Sequence, residues 1–244
     1  MRRIFNKVVR AIIKKSGITG LEQDLNTRLD KGQITVESIV PLARQAAAEG
    51  IVLLKNEKQT LPIKKEDTVA VFGRTAINYF GVGYGSGGDV QRPYLVNLME
   101  GLANANVNVN EKLADVYKEW TSIPKNQPDE GFWGHWPMSF PEMPLTSDIV
   151  EEAAKESDIA IVVIGRAAGE ARENILKKGS YYLTDLEMDM LNRVTKAFDK
   201  VAVVMDCGNI IDMSWVEDYK NRIGAIVYAW LGGMESGNAL VDIL

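Results

Sequence analysis

The sequence predicts an α/β protein built on a mostly parallel sheet with helices on both faces. Three observations carry that expectation. Near-continuous apolar runs cover residues 159–165, 201–205 and 225–230, helical periodicity fills the segments between strands, and strand–helix alternation persists across residues 68–244. Strands covered on both faces lose the polar alternation of a half-exposed sheet. Strand–helix alternation in turn implies right-handed crossovers between parallel neighbours.

The elements follow in order. Residues 1–15, MRRIFNKVVRAIIKK, carry six cations and no acid. Ile4, Phe5, Val8, Val9, Ile12 and Ile13 recur at helical spacing between them, the pattern of a basic amphipathic helix. Its apolar stripe could dock on the domain, on a partner domain or on a membrane surface. The apolar stretch is too short and interrupted for a signal peptide or a membrane span, so a cytoplasmic location is expected. Residues 16–32 are polar with three glycines and read as a linker. Residues 1–33 thus form helix and linker, and residues 34–244 the globular domain.

Within that domain residues 38–50 read as a helix running into an extended Ile51-Val52-Leu53-Leu54. Residues 68–73 form the first clear core strand and 107–109 a weak, polar one. Residues 94–103, 149–157 and 184–198 show one apolar face each. Thr184 followed by Glu187 is a capping-box signature that starts the last of these. Two connections stand out. Residues 79–89 are glycine-rich, and residues 121–145 hold five prolines with Trp133, His135 and Trp136. A connection of that length inside a compact domain is usually functional.

Composition narrows the chemistry. The 244 residues are 46% hydrophobic and 25% charged, ordinary for a globular chain, and the net charge of −5 argues against a nucleic-acid partner. Cys207 is the only cysteine, which excludes an internal disulfide and a thiolate metal cage. It reads as a small buried residue near a strand end. His135 is the only histidine, so a histidine metal site or a Ser-His triad has little to build on.

Glu170 is the leading candidate for chemistry. It lies in Gly165-Arg166-Ala167-Ala168-Gly169-Glu170, on the loop leaving the 159–165 run, and open α/β sheets place ligands at the carboxyl ends of their strands. A general acid at neutral pH needs a raised pKa, from burial or a neighbouring carboxylate such as Glu173, whereas Arg166 or Arg172 would oppose it. On composition alone, Glu170 reads first as a solvated loop acid.

Gly83-Tyr84-Gly85-Ser86-Gly87-Gly88 fits G-x-G-x-x-G as a string. The dinucleotide motif needs its glycines directly after a strand, at a helix N-terminus. Here a long connection separates them from residues 71–73, and Asp89 stands where phosphate charge would go. The alternatives are a backbone that approaches another ligand closely, with Ser86 and Asp89 available for hydrogen bonds, or a surface turn. Trp133 and Trp136 could stack on sugar faces or plug a domain contact. Trp120, Trp215 and Trp230 read as core or rim.

Taken together the motifs resemble the α/β sandwich domain of glycoside hydrolase family 3, which contains many β-glucosidases. The resemblance rests on residues 46–56 (AAAEGIVLLKN), 61–63 (LPI), 83–90 (GYGSGGDV), 165–170 (GRAAGE), 178–185 (KGSYYLTD), 206–212 (DCGNIID) and 230–237 (WLGGMESG), in order over residues 40–244. It implies retaining hydrolysis of β-glycosides, with an aspartate nucleophile on a separate (β/α)8 barrel and a glutamate acid/base on a sandwich loop. By motif position that acid/base is Glu170, and Ser86 reaches a sugar hydroxyl. Asp89, Trp133 and Trp136 are further candidates for substrate contact. The family commonly continues after the acid with glycine, one variable residue and Asp-Arg. Here Ala171-Arg172-Glu173-Asn174 follows, which makes Glu173 the next candidate.

A barrel would need about 200 further residues. The expectation is therefore a sandwich domain of a longer enzyme, sandwich first and barrel later, cut off at Leu244 and inactive without a barrel in cis or on a partner chain. No metal or organic cofactor is implied. The alternative is a stand-alone carbohydrate-binding or regulatory module, and an inactive relative held on a membrane or partner by its basic helix comes third.

Overall fold

A computed structural model of the chain describes residues 8, 11–12, 35–85, 92–129, 131, 135–170 and 174–244. Six strands form one sheet: β1 Val52–Asn56, β2 Thr68–Phe72, β3 Asn108–Val109, β4 Ile159–Arg166, β5 Val201–Cys207 and β6 Ala225–Tyr228. Their order across the sheet is β1-β6-β5-β4-β2-β3. Neighbours are parallel except β1, which pairs antiparallel with β6 at one edge. The sheet is mostly parallel, as the unbroken apolar runs predict.

Among the described residues from 35 onward, seven α-helices accompany the strands: α1 Val36–Gly50, α2 Leu98–Asn104, α3 Glu111–Ser122, α4 Ser147–Lys155, α5 Asp185–Ala197, α6 Val216–Tyr219 and α7 Ser236–Val241. All eight residues of β4 are buried. Ala160, Val162 and Ile164 pack with Leu113, Tyr117, Val150, Met190, Leu191 and Val194 from α3, α4 and α5. Ile159, Ile161 and Val163 face the other way, onto Leu98, Leu102 and Leu240 from α2 and α7. Period-two side chains on a central strand thus feed two cores, giving three layers.

The capping box is present: the Thr184 hydroxyl accepts from the Glu187 N–H at 3.2 Å, and Glu187 Oε2 accepts from the Thr184 N–H at 2.7 Å. Other elements depart from expectation. The helix expected from residue 94 starts at Leu98, because Asn97 caps it by accepting from the Glu100 N–H at 2.9 Å. The strand expected to reach residue 230 ends at Tyr228, and Trp230 sits at φ 58°, outside extended geometry. Helix α3 was not anticipated, although Leu113, Val116, Tyr117 and Trp120 form an i, i+3, i+4, i+7 stripe that packs on the core. Of the amphipathic segment, Val8, Ala11 and Ile12 are helical and exposed, and the rest lies outside the described residues.

Candidate functional site

The loop after β4 carries Glu170, and two neighbouring loops grip it. The Tyr84 N–H donates to the Ala168 carbonyl at 2.7 Å, and the Glu170 N–H donates to the Tyr84 carbonyl at 3.1 Å. Tyr84 and Gly169 thereby form a short parallel bridge outside the main sheet. The approach is close enough to require glycine. A Cβ on Gly169 would lie 2.8 Å from the Tyr84 Cβ, and one on Gly85, whose φ is +99°, would lie 2.5 Å from the Glu170 Cβ. The G-x-G pattern is therefore used for backbone contact with the 168–170 loop. Among the described residues the next α-helix starts at Leu98, which does not fit a phosphate-cradling turn at a helix N-terminus.

On the other side the Ala167 N–H donates to the Met138 carbonyl at 2.8 Å, and Asn209 Nδ2 donates to the Ala167 carbonyl at 2.9 Å. The proline-rich connection and the loop after β5 thus both hold the start of the Glu170 loop. Glu170 itself is exposed at a turn.

Arg166, which could have opposed a raised carboxyl pKa, faces elsewhere. It is fully buried, and its five N–H donors are taken up. Nη1 and Nη2 reach Glu187 at 2.6 and 2.7 Å, Nε reaches the Ser180 carbonyl, and the remaining bonds go to the Gly165 and Tyr182 carbonyls. The residue ties the 178–183 motif and the first turn of α5 to the end of β4. Glu187, half of the capping box, completes this pair, a link invisible to local sequence reading.

Trp136 needs correction as a sugar platform. It is 2% exposed and lies flat against Tyr84, with ring centroids 5.6 Å apart and planes 5° apart. A ring enclosed in this way cannot offer a free face to a pyranose; its contact is with Tyr84. Ser86, Asp89, Trp133, Arg172 and Glu173 lie outside the described residues. In the sequence Ser86 follows Gly85 directly. His135 is exposed.

Three groups in the supporting scaffold are electrostatically unusual. Burial lifts the Glu142 carboxyl from 4.5 to about 7, although it accepts N–H bonds from Met143 and Arg74. Burial also pushes Asp206 well above the carboxylate range, against one bond from the Phe80 N–H at 2.8 Å. Its second oxygen, Oδ1, has no hydrogen-bond partner among the described residues. Burial likewise raises the Cys207 thiol, making it an inert core residue rather than a nucleophile. Arg74, buried at the end of β2, donates to the Pro141 and Asn126 carbonyls and lies 5.0 Å from the Trp120 ring, anchoring the proline-rich connection. Neither Arg74 nor Glu142 was singled out from sequence. The one available signal was a charge directly after a buried strand.

Exposed apolar side chains surround this end of the sheet. Leu176 is 77% and Ile210 73% exposed, with Ile175 and Trp230 also uncovered. They lie on the loops following β4, β5 and β6. Among the described residues no cluster of His, Cys, Asp and Glu could hold a metal ion, and no helix is long and apolar enough to cross a membrane.

A three-layer α/β sandwich with a carboxylate loop at the carboxyl ends of its parallel strands belongs to the class of open α/β domains that place their ligands at that end. The sequence model described as the glycosyl hydrolase family 3 C-terminal domain matches residues 51–244. The chain belongs to glycosyl hydrolase family 3 and is a C-terminal-type domain of that family. It is 39% identical over 202 residues to a beta-glucosidase of Ruminococcus albus, covering 83% of this chain and 21% of that protein. Beta-glucosidase A of Butyrivibrio fibrisolvens is 34% identical over 229 residues, covering 84% of this chain and 27% of that protein. Among solved structures, a beta-glucosidase from Paenibacillus barengoltzii superimposes with TM-score 0.82 at 46% identity, over 86% of this chain and 23% of that one. Beta-glucosidase 3B from Thermotoga neapolitana in complex with glucose gives 0.75 at 29% identity, over 87% and 30%. The chain thus spans about a fifth to a third of the length of these relatives.

Proposed function

We propose that this chain is the acid/base half of a retaining β-glycosidase, completed by a (β/α)8 barrel that supplies the nucleophile. The observation that carries this reading is the placement of Glu170: at the carboxyl end of β4, gripped by the G-x-G loop, yet exposed. A carboxyl acting as a general acid near neutral pH needs a raised pKa, which burial provides. Covering this end of the sheet with another domain would supply that burial, and the exposed Ile175, Leu176, Ile210 and Trp230 are the surface such a domain would cover. The relatives' names favour a β-glucoside as substrate.

The chemistry follows from two carboxyl groups roughly 5–5.5 Å apart. Glu170 gives its proton to the glycosidic oxygen as the C1–O bond breaks, while the barrel aspartate bonds to C1 with inversion. Glu170, now a carboxylate, takes a proton from water, whose oxygen displaces the aspartate from C1 with a second inversion. The sugar leaves with its original configuration, and both carboxyl groups return to their starting states.

The test is hydrolysis of an aryl β-glucoside by the purified 244-residue chain. No turnover is expected, because one carboxyl cannot form and release the covalent intermediate alone. Robust turnover that disappears in Glu170→Gln would overturn the need for a second domain.

A further inference from the structure

We infer that Tyr84 and Trp136 are positioning residues for Glu170, joined as a stacked pair that holds the acid loop from one side. The inference rests on the reading of Glu170 as the acid/base. Three contacts close a triangle. The rings of Tyr84 and Trp136 lie 5.6 Å apart and nearly parallel. The Tyr84 backbone bonds to both Ala168 and Glu170, at 2.7 and 3.1 Å. Two residues beyond Trp136, the Met138 carbonyl accepts from the Ala167 N–H at 2.8 Å. The glycine loop and the proline-rich connection therefore meet the 167–170 segment at adjacent residues, and the ring stack locks the two loops to each other.

The partners differ in depth, which suits the role. Trp136 and Met138 are buried, whereas Tyr84 is half-buried. Trp136 acts as the fixed floor and Tyr84 as the link between it and the acid loop. An offset-stacked aromatic pair stabilises beyond the area it buries. The base of the Glu170 side chain lies against Gly85, the residue after Tyr84. A shift of Tyr84 thus moves the carboxyl directly. Proton transfer falls steeply with misplacement, on the order of 10²-fold for about 1 Å.

The experiment compares Trp136→Leu, Tyr84→Leu and Trp136→Phe with Glu170→Gln in the full-length enzyme that carries this domain. The readout is kcat/KM for phenyl β-glucoside, which needs protonation of its leaving group, against 2,4-dinitrophenyl β-glucoside, which does not. Both leucine variants are expected to lose on the order of 10- to 100-fold on the phenyl substrate and no more than about twofold on the other. Trp136→Phe, which keeps a ring against Tyr84, is expected to restore most of the loss. Should Trp136→Leu fail to fold, the half-buried Tyr84→Leu carries the test alone. Equal losses on both substrates, or no loss, would overturn the positioning role. If Glu170→Gln shows the leaving-group dependence and the stack variants do not, only this inference fails. If Glu170→Gln itself shows none, the reading of Glu170 fails and takes the inference with it.

Discussion

The Glu170 N–H donates to the Tyr84 carbonyl at 3.1 Å, and the Tyr84 N–H donates two residues back, to Ala168. The carboxylate loop is thereby zipped to the glycine loop by backbone alone, in a register that leaves no space for side chains at Gly85 or Gly169. The site's precision comes from backbone pairing beyond the end of the main sheet.

Gly85→Ala tests that zipper. At φ +99° an alanine is strained by roughly 1–3 kcal/mol, and its methyl would meet the Glu170 Cβ. The expected result is loss of amide-exchange protection at Glu170 with the β4 and β5 amides still protected. Unchanged protection at Glu170 would show that the loop is held by other contacts.

Arg166 and Glu187 form a bidentate pair deep in the domain. Breaking such a pair from one side leaves an uncompensated buried charge, at about 3–5 kcal/mol. Glu187→Ala should therefore lower the urea midpoint by that equivalent, and it also removes half of the α5 capping box. A change below about 1 kcal/mol would mean that water reaches the guanidinium.

Stability should fall as pH rises through the weakly acid range. Burial raises Glu142 from 4.5 to about 7, with Glu187 adding to the rise and the Arg74 charge opposing it. The folded protein holds this proton more tightly than the unfolded chain. The contribution is complete below pH about 4.5 and is lost by about 7, roughly 3 kcal/mol in all. Asp206, raised in the same direction by burial, adds with the same sign. Urea unfolding across this range should show the decline, and Glu142→Gln should flatten it; an unchanged slope in that variant would contradict the assignment.

Asp206 should tolerate loss of charge better than loss of its oxygen. It accepts from the buried Phe80 N–H, while Oδ1 has no partner among the described residues. Asp206→Asn keeps the acceptor and is expected to be near neutral. Asp206→Ala orphans the Phe80 N–H and should cost about 1–3 kcal/mol. Equal thermal midpoints for the two variants would argue that the hydrogen bond contributes little.

The legible parts of this chain were those fixed by local physics. Residues 159–165 and 201–205 read as strands because both of their faces are buried, so no polar residue interrupts them. Glu170 stood out because it follows such a strand. Helix α3 was legible too, through Leu113, Val116, Tyr117 and Trp120 at helical spacing, but that stripe was passed over. Trp136 was ambiguous: a ring in a proline-rich connection has the same sequence whether it faces sugar or Tyr84. Arg166 looked like a loop cation, and its role depends on Glu187, which the fold brings back from the next helix. Side-chain roles set by the meeting of distant loops leave no periodic trace.

The most direct test of the central claim is the product formed by Glu170→Gln in the full-length enzyme, given 2,4-dinitrophenyl β-glucoside and azide. With the acid/base removed and the nucleophile intact, the glycosyl-enzyme still forms from this activated substrate and azide attacks it without base assistance. The account predicts faster turnover with azide and accumulation of the β-configured glucosyl azide. Turnover unaffected by azide, with glucose as the sole product at the unmodified rate, would contradict the assignment of the acid/base to Glu170.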